Sequence, residues 1–327
     1  MNVTGLALCA FIAIAFATIS WADEAKQVVV LAPEFEKLIP KDAKVEKVAG
    51  GFEFLEGPVW HKDGYLLFSD CHQVGIYKWD PATGKTSIYR EVPGNSNGLT
   101  FDNEGRLIAV EYGMHRLTRE EKDGKITVLV SEYQGKRLNT TNDVVVKSDG
   151  SIYFTDPPYG VKKEDRELDF QGVYRLSPDG KLTLLVKDFD CPNGLAFSPD
   201  EKTLYIADSS ARMHIRAFDV KEDGTLANGR LFAVLKSREP GCPDGLKVDT
   251  KGNVWTTGPG GIWVFDRFGK HLGIVKTPEV PANCAWGDSD GKTLYITART
   301  SLYRFRTNVE GNRPWMKGRQ NNKSNLK

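Results

Sequence analysis

Two stretches, Cys191-Pro192-Asn193-Gly194-Leu195 and Cys242-Pro243-Asp244-Gly245-Leu246, decide how this chain is read. Each leads into a short strand and then a tight turn, and the pattern recurs six times. The polar residue opening each copy is Glu56, Asn97, Asn142, Asn193, Asp244 or Asn283. Eight residues after the opener stands a turn glycine, namely Gly64, Gly105, Gly150, Gly252 or Gly291, with Glu201 in that place in the fourth copy. A constant offset means six similar hairpins in one register.

The copies run EGPVWHKDGYLLFSD from residue 56, NGLTFDNEGRLIAVE from 97, NDVVVKSDGSIYFTD from 142, NGLAFSPDEKTLYIAD from 193, DGLKVDTKGNVWTTG from 244 and NCAWGDSDGKTLYITA from 283. Each reads as strand, polar turn and aromatic or β-branched strand. Third and fourth strands follow in most copies, such as Gly172 to Leu176 and Lys181 to Val186. The openers are 41, 45, 51, 51 and 39 residues apart. Four antiparallel strands repeating every forty-odd residues are the signature of a propeller blade. The chain is therefore expected to be all-β, a six-bladed β-propeller with four-stranded antiparallel blades. A row of β-sandwich domains fits less well, because no composition break divides the repeats. The propeller domain is placed at 24–311. Ser301 to Arg306 is expected to close the ring with an N-terminal strand, since an open edge invites aggregation. A polar tail occupies 312–327.

The chain has 327 residues, 40% hydrophobic and 27% charged, enough for a sizeable core. A net charge of +1 without long runs of one sign argues against nucleic-acid binding and a polybasic membrane patch. Residues 1–22 stand apart. Leu6 to Ile19 is apolar and Ser20-Trp21-Ala22 suits signal peptidase, so cleavage after Ala22 and export to the periplasm or medium are expected, with no membrane attachment afterwards. The mature chain then keeps Cys71, Cys191, Cys242 and Cys284. Four cysteines allow three pairings, but a core of this size does not require them, and free thiols are expected at Cys191 and Cys242.

In a propeller the innermost strand of each blade lines a central channel. The openers precede those strands, so they should ring one mouth. The ring holds one Glu, one Asp and four Asn, and no Lys or Arg. Asn-Gly and Asp-Gly are ordinary turn dipeptides, but here the hairpin tip lies eight residues further on. Six oxygen-bearing side chains on one axis suit a hard cation, calcium or magnesium, better than zinc or copper. Calcium is expected, with Mg2+, Mn2+ and Zn2+ as alternatives.

With these motifs the chain resembles the gluconolactonase family, which includes the regucalcin-like senescence-marker lactonases. The likeness covers about residues 50 to 310 and is carried by Glu56-Gly57-Pro58-Val59-Trp60, Asn142-Asp143, Thr155-Asp156-Pro157-Pro158-Tyr159-Gly160, Pro192-Asn193-Gly194, Pro243-Asp244-Gly245 and Pro281-Ala282-Asn283-Cys284. The resemblance implies a six-bladed propeller with a divalent cation held by Glu56, Asn142, Asn193 and Asp244. It also implies that Asp244 is the acid/base group. The expected reaction is hydrolysis of a small sugar lactone, such as glucono-1,5-lactone, to the aldonic acid. Asp244 would take the proton from water, with Glu56 second choice. Asp143 and Asp156 would orient the ligands. Asn97, Tyr112, His115, Thr140, Tyr159 and Asn283 are candidate substrate contacts. The chain departs from many relatives in Thr140 and Thr141, where Arg or Ser and then Pro stand, and from some in Tyr112, where His stands. A hydrolase of other lactones or organophosphates, and a non-catalytic binding propeller, are the alternatives. No Gly-x-Ser-x-Gly elbow suggests acyl-enzyme chemistry. A monomer or weak homo-oligomer is expected.

Overall fold

The computed structural model describes residues 27–73 and 75–314. The expected signal peptide and the last thirteen residues of the tail lie outside the described residues. Among the described residues six antiparallel sheets form the blades, five of four strands and one of five, each running from an inner strand outward, and Glu132–Tyr133 pairs with Lys136–Arg137 as a separate two-stranded ribbon. The inner strands are Leu55–His61, Ser96–Phe101, Val144–Val146, Pro192–Phe197, Leu246–Val248 and Pro281–Gly287.

Blade six takes its outer strand from the N-terminal side. Val45–Gly50 pairs with Ser301–Arg306, in register Val45 with Phe305 and Gly50 with Ser301. The expected closure is therefore present. The short strand Val28–Val30 was not assigned from sequence. It adds a fifth strand to blade five against His271–Lys276, and covers that blade's outer edge.

The core lies between blades. Ile108 and Val110 of blade two pack with Val144, Phe154 and Tyr174 of blade three. Across the closure, Trp60 stacks on Tyr295 with ring centroids 5.5 Å apart. Alternating strand residues supply both faces of each sheet, so every blade buries side chains against two neighbours.

At the fourth hairpin tip Glu201 adopts the left-handed backbone, with φ 57°, that glycine supplies in the other copies. Its carboxylate offsets that strain by accepting the Ser148 N–H at 2.8 Å from the neighbouring blade.

Candidate active site

Five of the six openers do not continue the ladders that follow them; Asn283 does, pairing with Thr297 just after the shift in its strand. The register of the inner strand shifts between Glu56 and Val59, Ser96 and Leu99, Pro192 and Leu195, and Pro281 and Asn283. A bulge of this kind re-aims a side chain and ends pairing locally. In blades three and five the regular strand starts only after the opener, at Val144 and Leu246. In four of the six copies the residue after the opener is glycine, Gly57, Gly98, Gly194 or Gly245. An added Cβ at Gly245 would lie 2.1 Å from the Asn283 side chain, so glycine lets the inner edges of adjacent blades meet around the axis.

Five of the six openers, Glu56, Asn97, Asn142, Asn193 and Asp244, line one cavity of about 450 Å³. Tyr112, Thr140 and Tyr159 line it too, together with Phe54, Cys71, His72, Gly160, Ser209 and Cys242. Two expected contacts lie elsewhere. Asn283 is buried away from this lining, and donates to Glu56 Oε2 at 3.0 Å and to Asp143 Oδ2 at 3.4 Å. It supports Glu56 rather than facing the cavity. His115 follows the short 3-10 helix Tyr112–Met114 in a left-handed conformation, and its ring meets the Asn139 carbonyl. It ties blade two to the Asn139 loop.

The two supporting carboxylates also separate. Asp143 Oδ1 accepts the Val144 N–H at 2.8 Å, and its Oδ2 lies 4.0 Å from Lys247 Nζ. Asp156 holds the Asn139 N–H at 2.8 Å and thereby fixes the segment leading to Asn142, without touching Asn142 itself. Burial pushes the Asp156 carboxyl up to about 7.

Glu56 is 3% exposed, and its Oε2 accepts the Gly57 N–H at 2.9 Å as well as Asn283. Burial raises its pKa to about 7, and the Asp143 carboxylate adds to the rise. Asp244 is raised well above the ordinary carboxylate range, by burial first and then by Glu56 and Asp143. Its Oδ1 is buried and has no hydrogen-bond partner. Asn193 donates through Nδ2 to Ser209 Oγ at 2.8 Å and to Tyr159 Oη at 3.3 Å, and Ser209 in turn donates to the Pro243 carbonyl at 2.7 Å. That chain of bonds fixes the amide and leaves Oδ1 as the acceptor side of Asn193.

These features fit a divalent cation. An orphaned buried carboxylate oxygen and mutually repelling carboxylates are what such an ion would relieve. Among the described residues no three His, Cys, Asp or Glu side chains group closely enough to hold a metal by themselves. The candidate set therefore depends on the oxygens of Asn142 and Asn193, consistent with a hard ion.

The charge balance has a consequence for stability. Glu56 binds its proton more tightly folded than unfolded, so its contribution is full below about 4.5 and is lost as the pH rises to about 7. In chelator, the parent should lose melting temperature relative to Glu56→Gln across that window. A difference between the two that does not change with pH would contradict this.

Sequence reasoning missed Lys247. The residue three places after each opener is Val59, Thr100, Val145, Ala196, Lys247 or Trp286, so the one charged side chain in that series was the available signal. Ser209 was missed for want of any: it lies outside every repeat motif and reaches the cavity only through the turn after blade four's second strand, Thr203–Asp208. Cys71, Cys191, Cys242 and Cys284 are free thiols, as expected for Cys191 and Cys242, and Cys71 and Cys284 are buried.

The sequence matches the family described as the SMP-30/Gluconolactonase/LRE-like region over residues 54–300. The chain belongs to this family. Among SMP-30/gluconolactonase/LRE-like relatives, the gluconolactonase of Zymomonas mobilis subsp. mobilis is 33% identical over 307 residues, 86% of each chain. Regucalcin of Xenopus laevis is 30% identical and is matched over 77% of this chain and 85% of its own length. The solved structure of a gluconolactonase from Xanthomonas campestris superposes with a TM-score of 0.79 at 35% identity, covering 86% of this chain and 94% of that one. The expected six-bladed architecture is thus shared with a member of the same SMP-30/gluconolactonase/LRE-like family.

Proposed function

We propose that this propeller is a lactone hydrolase that opens a neutral sugar lactone of the glucono-1,5-lactone type to its aldonic acid, with a divalent cation, calcium foremost. The observation that carries the reading is the convergence of five openers on one cavity, with the unpartnered Asp244 Oδ1 among them. Gluconolactonases among the relatives support the substrate class, and regucalcin supports a divalent ion.

Glu56, Asn142, Asn193 and Asp244 would hold the cation. When bound, it supplies positive charge that polarises the lactone carbonyl and favours ionised Asp244. Asp244 then accepts the proton of the attacking water and returns it as the ring oxygen departs. Glu56 carries charge and is braced by Asn283, so its oxygen is held in place during the reaction. Asn97, Tyr112, Thr140 and Tyr159 surround the lactone. Tyr112 and Thr140 donate their hydroxyl protons to the Cys71 and Pro157 carbonyls, both at 2.6 Å, which fixes their oxygens as acceptors for sugar hydroxyls. Among the described residues neither Lys nor Arg lines the cavity. That lining suits a neutral substrate.

The test is lactone hydrolysis by the full chain before and after chelation. Activity on glucono-1,5-lactone should disappear with chelator and return with calcium. Undiminished turnover in chelator would remove the cation from the reading. A preparation active on simple esters but on no sugar lactone would overturn the substrate class.

A further inference from the structure

Beside Asn283 stands a basic group. Lys247 projects from Leu246–Val248, the inner strand of blade five, and its side chain is 23% exposed. Its Nζ donates to the Leu246 carbonyl at 3.1 Å and to Asn283 Oδ1 at 3.4 Å, and lies 4.0 Å from Asp143 Oδ2. Asn283 Oδ1 also accepts the Cys284 N–H at 2.9 Å. With two donors on its oxygen, the Asn283 amide can only turn its nitrogen toward Glu56 and Asp143, as observed. The ammonium therefore acts on the site in two ways. It fixes the amide that braces Glu56, and it sets a positive charge against the carboxylates.

The count of charge matters. Glu56, Asp143 and Asp244 form one mutually repelling group, and the Lys247 ammonium acts on both Glu56 and Asp143. Three carboxylates and one ammonium leave two negative charges, the complement of a divalent ion. Without the ammonium the same pocket would carry three. Lys247 sits behind Asn283 and is absent from the cavity lining, so it does not occupy a place that a ligand or a substrate needs.

We propose that Lys247 is a positioning residue that sets the charge of the site, selecting a divalent over a trivalent cation. This rests on the cation reading above. An ion carrying one more positive charge meets additional repulsion from the ammonium and additional attraction once it is gone.

The experiment is cation binding rather than turnover. Terbium binding is followed by its luminescence, calcium binding by competition, and both are measured for the full chain and its variants. Lys247→Met, which keeps length and loses charge, should raise the preference for terbium over calcium by roughly tenfold, as expected for one unit charge at the effective dielectric of a partly buried site. Lys247→Arg should retain the parent preference. Lys247→Gln repeats the neutral substitution with a polar side chain, should Met disturb the strand. An unchanged preference in folded Lys247→Met or Lys247→Gln overturns the proposal. So does an equal shift in Lys247→Arg, which would make the effect one of shape. A parent that binds neither ion overturns the cation reading itself, a result distinct from the first two.

Discussion

Asp244→Asn should keep the fold, bind calcium more weakly, and hydrolyse the lactone about 10²–10⁴-fold more slowly at saturating calcium, the usual contribution of a general base. Asn is nearly the size of Asp and still offers one oxygen, but it cannot take a proton. The backbone around it should persist, because the Asp244 N–H is held by Thr257 Oγ1 at 2.9 Å and does not depend on the side chain. The matching control is Asn193→Asp, which adds a carboxylate in the preceding blade and removes no base. It should keep much more activity. Metal occupancy is measured separately in both. If Asp244→Asn turns over near the parent rate with calcium bound, Asp244 is a ligand only, and Glu56 becomes the better base.

The second large effect is expected at Gly57. Its backbone has φ 52°, and an added Cβ would lie 2.0 Å from the Asn97 carbonyl oxygen. Gly57→Ala therefore meets two costs, a left-handed conformation that L-residues resist and an overlap with a neighbouring blade's backbone, together about 2–5 kcal/mol. For a chain of this size that corresponds to a fall in melting temperature of roughly 3–7 °C. Activity should drop even at temperatures where the variant is folded, because the Gly57 N–H is a partner of Glu56 Oε2. A Gly57→Ala protein with parental melting temperature and parental turnover would show that blade one can move away from blade two without cost.

The fold was legible because propeller blades repeat. Six hairpins in one register state the blade number, and the pairing of Val45–Gly50 with Ser301–Arg306 follows from the need to cover an edge. The strand Val28–Val30 was not legible, since an isolated apolar run says nothing about which of six outer edges it will cover. For the site, register placed Glu56, Asn97, Asn142, Asn193 and Asp244 around one cavity. It failed at Asn283, whose position in the repeat is equivalent but whose side chain turns to brace Glu56. Repeats predict where a Cα lies; hydrogen bonds made across the axis decide where the side chain goes. His115 belonged to no repeat, and its contact with the Asn139 carbonyl depends on a loop the sequence does not place.

The shared blade six also sets the order of events in making the protein. Val45 and its partner Phe305 are 260 residues apart in the chain. At a synthesis rate of 5–20 residues per second, the first of these strands waits roughly 13–52 s for the second to be made. Until then the ring is open and Val45–Gly50, the outer strand of blade six, has no sheet to join. Closure is thus a late, long-range step of high contact order, and the earlier blades must remain soluble without it. Once closed, neither Val45–Gly50 nor Ser301–Arg306 can leave its sheet without opening the circle, so loss of structure should begin at blade six and release the whole ring together.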